Sequence, residues 1–191
     1  MLNFLAAIHG TGVAASTNSY ESIATVTVGS GGSSTISFTS IPSTFKHLEI
    51  RAIARDARAI SGANPINMSF NSDTTYTNYR QHYLYGDGST AGAGTLQASG
   101  SYASGGDSAG ASTAASIFAV NIISILDYTN TNKNKVSRVL HGIDTNGGGQ
   151  IVLDSSLWLN TAAITQIDLT AKSSTGFVQY SQFALYGIKG A

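Results

Sequence analysis

The 191-residue sequence predicts an all-β chain folded as a single β-sandwich, and three observations carry that prediction. Apolar residues alternate with polar ones in short runs, the two-residue period of a strand with one buried face. Clusters of Gly, Asn, Ser and Asp separate these runs at intervals too short for a long amphipathic helix. Charged residues make up 10% of the chain and apolar residues 42%, which suits a Gly/Ser/Thr-rich sheet protein and not a disordered one. The length allows one sizeable core, so one domain is expected. About nine or ten strands favour a sandwich, with a jelly roll as the leading topology.

The chain divides into an extended N-terminal arm, residues 1–19, and a sandwich domain, residues 20–191. In the arm, MLNFLAAIHGTGVAAS carries a short apolar stretch with small residues near Ala14 and Ala15. It resembles a secretory signal, but no Lys or Arg precedes it, and it is too short to span a bilayer. Leu2, Phe4, Leu5 and Ile8 are expected to contact a partner.

From Tyr20, Ala24, Val26 and Val28 alternate with Thr25 and Thr27; after Gly29–Gly32, Ile36 and Phe38 alternate with polar residues, which predicts a hairpin. In HLEIRAIAR, Leu48, Ile50, Ala52 and Ala54 share one face of a strand. Ile66, Met68 and Phe70 form another strand, closed by Asn71-Ser72-Asp73. In YTNYRQHYLYG the tyrosines 76, 79, 83 and 85 fit neither period, and a strand is expected only around Tyr83–Tyr85. A Gly/Ala/Ser tract from Gly86 to about Ser116 reads as a long loop with no buried face. IFAVNIISILDY reads as a fully buried central strand. KVSRVLHGI, IVLDSSLWLN after the Asn146–Gly149 turn, ITQIDLTA and FVQYSQFALYGI complete the strands. The two prolines are placed at run boundaries.

Ten basic residues balance ten acidic ones, so no net field favours nucleic acid or an anionic membrane. A neutral Ser/Thr/Gly surface favours association instead. The absence of cysteine removes disulfides and thiolate chemistry. Gly106–Gly110, GDSAG, has the spacing of a nucleophile elbow around Ser108, but neither a strand nor a helix is expected beside it, so a polar loop is the better reading. His9, His47, His82 and His141 lack local metal-ligand spacing. Asp144–Gly149 begins like a calcium loop and lacks its later ligands, which leaves a turn. Among Glu21, Glu49, Asp127, Asp144, Asp154 and Asp168, spacing selects no catalytic pair. Trp158 alternates with Leu157 and Leu159, so it lies on the other face, where a partner contact or a glycan is expected beside the commoner outcome, a second-layer core tryptophan. No catalytic residue, metal or cofactor is nominated, and no enzyme is expected.

The segments YESIATVTVGSGGSSTISFTSIPSTFKHLEIRAIAR, FNSDTTYTNYRQHYLYGDGS, ILDYTNTNKNK, LWLNTAAITQIDLT and FVQYSQFALYGIKG together resemble a group of tailed-bacteriophage virion proteins, familiar from cyanophage and environmental phage genomes. The resemblance runs over nearly everything from Tyr20 onward except the Gly/Ala/Ser tract, and rests on strand and turn motifs. It implies a structural protein on the outer surface of the capsid, a decoration or cement protein that clamps neighbouring major capsid subunits, most simply as a homotrimer. A tail or tail-fibre module that binds host-surface carbohydrate is the alternative it implies.

Overall fold

The computed structural model describes residues 19–172 and 176–190. Twelve strands appear in chain order: β1 Tyr20–Thr27, β2 Thr35–Phe38, β3 His47–Ala54, β4 Ala63–Phe70, β5 Tyr79–Gly86, β6 Ala91–Gly100, β7 Ala103–Ala109, β8 Ala119–Leu126, β9 Lys135–Asp144, β10 Gly149–Trp158, β11 Ile167–Ala171 and β12 Gln182–Ile188. They form an eight-stranded sheet ordered β1-β12-β3-β8-β9-β10-β5-β6 and a four-stranded sheet ordered β2-β11-β4-β7. All pairings within the sheets are antiparallel. The result is an all-β sandwich of unequal halves, eight strands against four. Its β8-β9-β10 meander stays within one sheet, and the order gives no support to a jelly roll.

The core fills where the inward rows meet. Leu48 and Ile50 of β3, Ile123 and Ile125 of β8, and Phe183 and Leu185 of β12 face Ile36, Phe38, Ile66, Met68, Phe70, Ile167 and Leu169 of the small sheet, all within one buried cluster. Each lies at the parity its strand's alternation gives it. At about 25 cal/mol per Å² of apolar area withdrawn from water, this cluster is the main source of stability.

Three local expectations are corrected. β1 and β2 are not a hairpin: β1 pairs with β12 and β2 with β11, so the Gly29–Gly32 turn carries the chain from one sheet to the other. The turn itself is present, with Gly32 N–H donating to the Gly29 carbonyl at 3.0 Å. β5 runs from Tyr79, and Tyr79, Tyr83 and Tyr85 share its inward parity; Tyr76 precedes the strand and hid that period. Pro65 lies inside β4, beside a register shift between Pro65 and Asn67, where a missing N–H is tolerated.

The Gly/Ala/Ser tract is the largest correction. It forms β6 and β7, and every residue of β7 is buried. Small side chains are what permit this. A Cβ on Gly105 would stand 2.8 Å from Ile66 Cγ2 and 2.9 Å from Leu169 Cδ2, so the strand fits between its neighbours only because it lacks bulk there. Gly106 adopts φ +84, and its place is filled by the Asn121 side chain. Asn121 in turn accepts from Asp107 N–H at 2.8 Å and donates to the Asp107 carbonyl at 2.9 Å, which satisfies the buried backbone.

β8 is central, as expected, but only half-buried. Its outward residues Val120 and Ile122 are 56% and 43% exposed.

Candidate functional site

The two faces of β9 and β10 carry the two features that bear on function. On the outer face, Ile53, Val120, Ile122, Leu140, Ile151, Leu153 and Leu84 are each 42–60% exposed. Cross-strand register places them side by side: Ile53 opposite Val120, and Ile122, Leu140, Leu153 and Leu84 as one continuous row across β8, β9, β10 and β5. Gly142, between Val120 and Ile151, leaves a shallow depression with a volume of about 840 Å³. The adjoining row, Glu49, Ser124, Arg138, Ser155 and His82, is polar. An apolar centre with a polar border is the anatomy of a protein contact surface.

The inner face of the same strands is polar and buried. His141 on β9 is 5% exposed, with Asp154 Oδ2 of β10 3.0 Å from Nε2 and Asp107 Oδ2 of β7 3.0 Å from Nδ1. The contact to Asp107 is an ion pair. Burial disfavours the imidazolium, but the two flanking carboxylates outweigh it and raise the His141 pKa to about 9. Ser104 Oγ donates to Asp154 Oδ2, and Gln150 Nε2 donates to Asp107 Oδ2 at 3.0 Å. These groups floor a groove with a volume of about 370 Å³ between β7 and the overhanging strands β10 and β5, walled by Tyr83, Tyr85 and Tyr102.

Ser108 is neither a nucleophile elbow nor a loop residue. It sits inside β7, fully buried, with its hydroxyl 2.6 Å from Asp56 Oδ2 and 3.0 Å from the Asn64 carbonyl. Asn64 Nδ2 and Arg58 N–H also donate to the Asp56 carboxylate, at 2.7 and 2.6 Å. Asp56 and the Asn64 carbonyl are the hydrogen-bond partners of the Ser108 hydroxyl, while His141 is paired with Asp107 and Asp154. Of the six carboxylates weighed from the sequence, only Asp154 joins the groove; its partner Asp107 was hidden inside GDSAG.

Trp158 is also corrected. It is 1% exposed, so it offers no surface to a partner or a glycan. It packs on Phe70 and Tyr79 at ring-centroid distances of 5.5 and 6.5 Å, and Nε1 donates to Asp73 Oδ2 at 2.7 Å. The outward parity belongs to Leu157 and Leu159. Burial pushes the Asp73 carboxyl up, but hydrogen bonds from Asn78, Trp158 and Thr75 outweigh it and hold it at about 2. Leu2, Phe4, Leu5 and Ile8 lie outside the described residues.

Lys135 is a second buried cation. Nζ donates to the carbonyls of Asn130, Thr161 and Lys133 at 2.6, 2.8 and 3.1 Å, tying the loop before β9 to the one after β10. Burial lowers its pKa, with a smaller contribution from Lys133. Among the described residues no group of three or more His, Cys, Asp or Glu side chains is placed to hold a metal ion. No helix there is long and apolar enough to cross a membrane. Comparison of the chain with protein-family models, with curated proteins and with solved structures finds no match in any of the three.

Proposed function

We propose that this chain is a structural component of a tailed-bacteriophage particle, a decoration protein that seats the outer face of its large sheet on major capsid subunits. The observation that carries the reading is the row of exposed aliphatic side chains across β8, β9, β10 and β5. Water contact over such an area is unfavourable by about 25 cal/mol per Å², and a protein neighbour relieves it. The neutral net charge imposes no long-range repulsion on closely packed copies. The sequence resemblance supplies the particle, and residues 1–19 supply a second grip. Three copies around a local three-fold let modest contacts act together.

The test is decoration of capsids that lack the protein, measured by co-sedimentation. The double variant Ile151→Glu/Leu153→Glu places two carboxylates in the contact and is expected to weaken decoration by about 100-fold, since two unpaired charges would be buried there. Deletion of residues 1–19 is expected to leave a folded domain that no longer decorates. Undiminished decoration by the charged double variant would overturn the reading.

A further inference from the structure

We propose that the groove between β7 and the overhang of the large sheet is a binding site for a neutral saccharide. Four observations converge on it, and none involves the outer face. The first is a stacking platform. Tyr83 and Tyr85 lie side by side with ring centroids 6.0 Å apart, each against a glycine of β6. A Cβ on Gly92 would stand 2.6 Å from Tyr85 Cε1, and one on Gly94 would stand 2.9 Å from Tyr83 Oη. The glycines therefore let the rings lie down on the edge strand. Aromatic faces held this way stack on the C–H face of a pyranose ring while their hydroxyls stay wet.

The second observation is hydrogen-bonding capacity the protein does not use. Asp154, 1% exposed, lines the groove, and its Oδ1 has no hydrogen-bond partner among the described residues. Gln81, 6% exposed, lines it as well and brings an amide to the same wall. Buried polar groups are ordinarily satisfied, so the unpartnered Asp154 oxygen points to a ligand that completes it. Carboxylates and amides are the groups that accept from and donate to adjacent sugar hydroxyls.

Third, the charges cancel. Asp107 and Asp154 are matched by the His141 imidazolium and by Lys172 at the rim. A phosphate or carboxylate ligand would meet two acidic oxygens, and an ammonium would meet the imidazolium. A hydroxyl-rich neutral molecule meets neither penalty. The fourth is size. About 370 Å³ lies within the range of small-ligand sites and suits about one to two sugar rings.

The experiment titrates the full chain with neutral oligosaccharides built from glucose, galactose, mannose and N-acetylglucosamine, alongside sialylated and phosphorylated counterparts, followed by saturation-transfer NMR and calorimetry. At least one neutral glycan is expected to bind with millimolar or better affinity. Tyr83→Ala and Gln81→Ala are each expected to weaken it about tenfold, Tyr83→Phe to retain it, and Leu153→Glu on the outer face to leave it unchanged. Thermal melts of each variant separate lost binding from lost fold. No neutral glycan bound at ~10 mM, a preference for the anionic glycans, or equal binding by well-folded Tyr83→Ala and Gln81→Ala would overturn the proposal. Because the outer-face variant is read separately, a failure here leaves capsid attachment standing, and the reverse.

Discussion

On the inner side of β9 and β10, His141 and Asp154 are buried with less than a tenth of their surface exposed, while on the outer side of the same two strands Leu140, Ile151 and Leu153 stand 45–60% exposed. Each strand thus keeps ionisable groups from water and offers aliphatic groups to it. Neither arrangement is favourable alone. The inner one is tolerable because a cation sits between two carboxylates. The outer one is tolerable if a neighbour covers it. The difference teaches that one face of this sheet is closed by its own β7, while the other presents aliphatic side chains to solvent.

The sharpest way to break the inner half of that comparison is His141→Leu. It leaves Asp107 and Asp154 facing one another without the imidazolium, and uncompensated buried charge costs about 3–5 kcal/mol. Urea denaturation should show that loss; a variant as stable as the parent would mean that the carboxylates do not depend on His141. The same ion pair sets a pH dependence. The folded-state pKa of His141, about 9, lies above its ordinary value of 6.5. Its contribution is therefore fully present below pH 6.5 and is lost as the pH rises through 9, a decline on the order of 3 kcal/mol. Denaturation curves between pH 6 and about 10, compared with those of His141→Gln, isolate the term. A flat difference would remove it.

A smaller effect is expected where β7 wedges between its neighbours. Gly105→Ala puts a methyl group 2.8 Å from Ile66 Cγ2 and 3.1 Å from the Ile66 carbonyl, and the backbone atom has nowhere to go. Overpacking of this kind costs about 1–3 kcal/mol. A neutral result would show that β7 is held more loosely than its burial implies.

How much of this was legible in the sequence follows from side-chain size. Wherever large apolar residues alternate, as in β3 and β4, strand and face could both be read, because Leu48, Ile50, Met68 and Phe70 announce the core. β7 was illegible because its fit depends on having almost no side chain, and a Gly/Ser strand looks like a loop until its neighbours are known. His141 and Asp154 share the inward parity of Val139 and Trp158, so the β9–β10 pair could have been aligned from the Asp144–Gly149 turn. Asp107 could not, since nothing local says that β7 lies across that hairpin. The outer patch was half-legible. IFAVNIISILDY is apolar on both parities, and such a run reads as fully buried whether its second face is covered by its own chain or by another.

The smallest expected effect bears on that last ambiguity. Leu153→Lys replaces a side chain that is 45% exposed, at a position whose cross-strand neighbours are Leu140 and Leu84. If the outer face is free in the isolated chain, the lysine reaches water along its own stem and the unfolding free energy changes by no more than about 0.5 kcal/mol. Association should respond far more, because in an apolar contact made by this face the ammonium would be desolvated. Urea midpoints and sedimentation velocity on the same samples separate the two readouts. A stability loss above about 2 kcal/mol would mean that the chain itself covers the row, so that the outer face is core and the contrast between the two faces disappears.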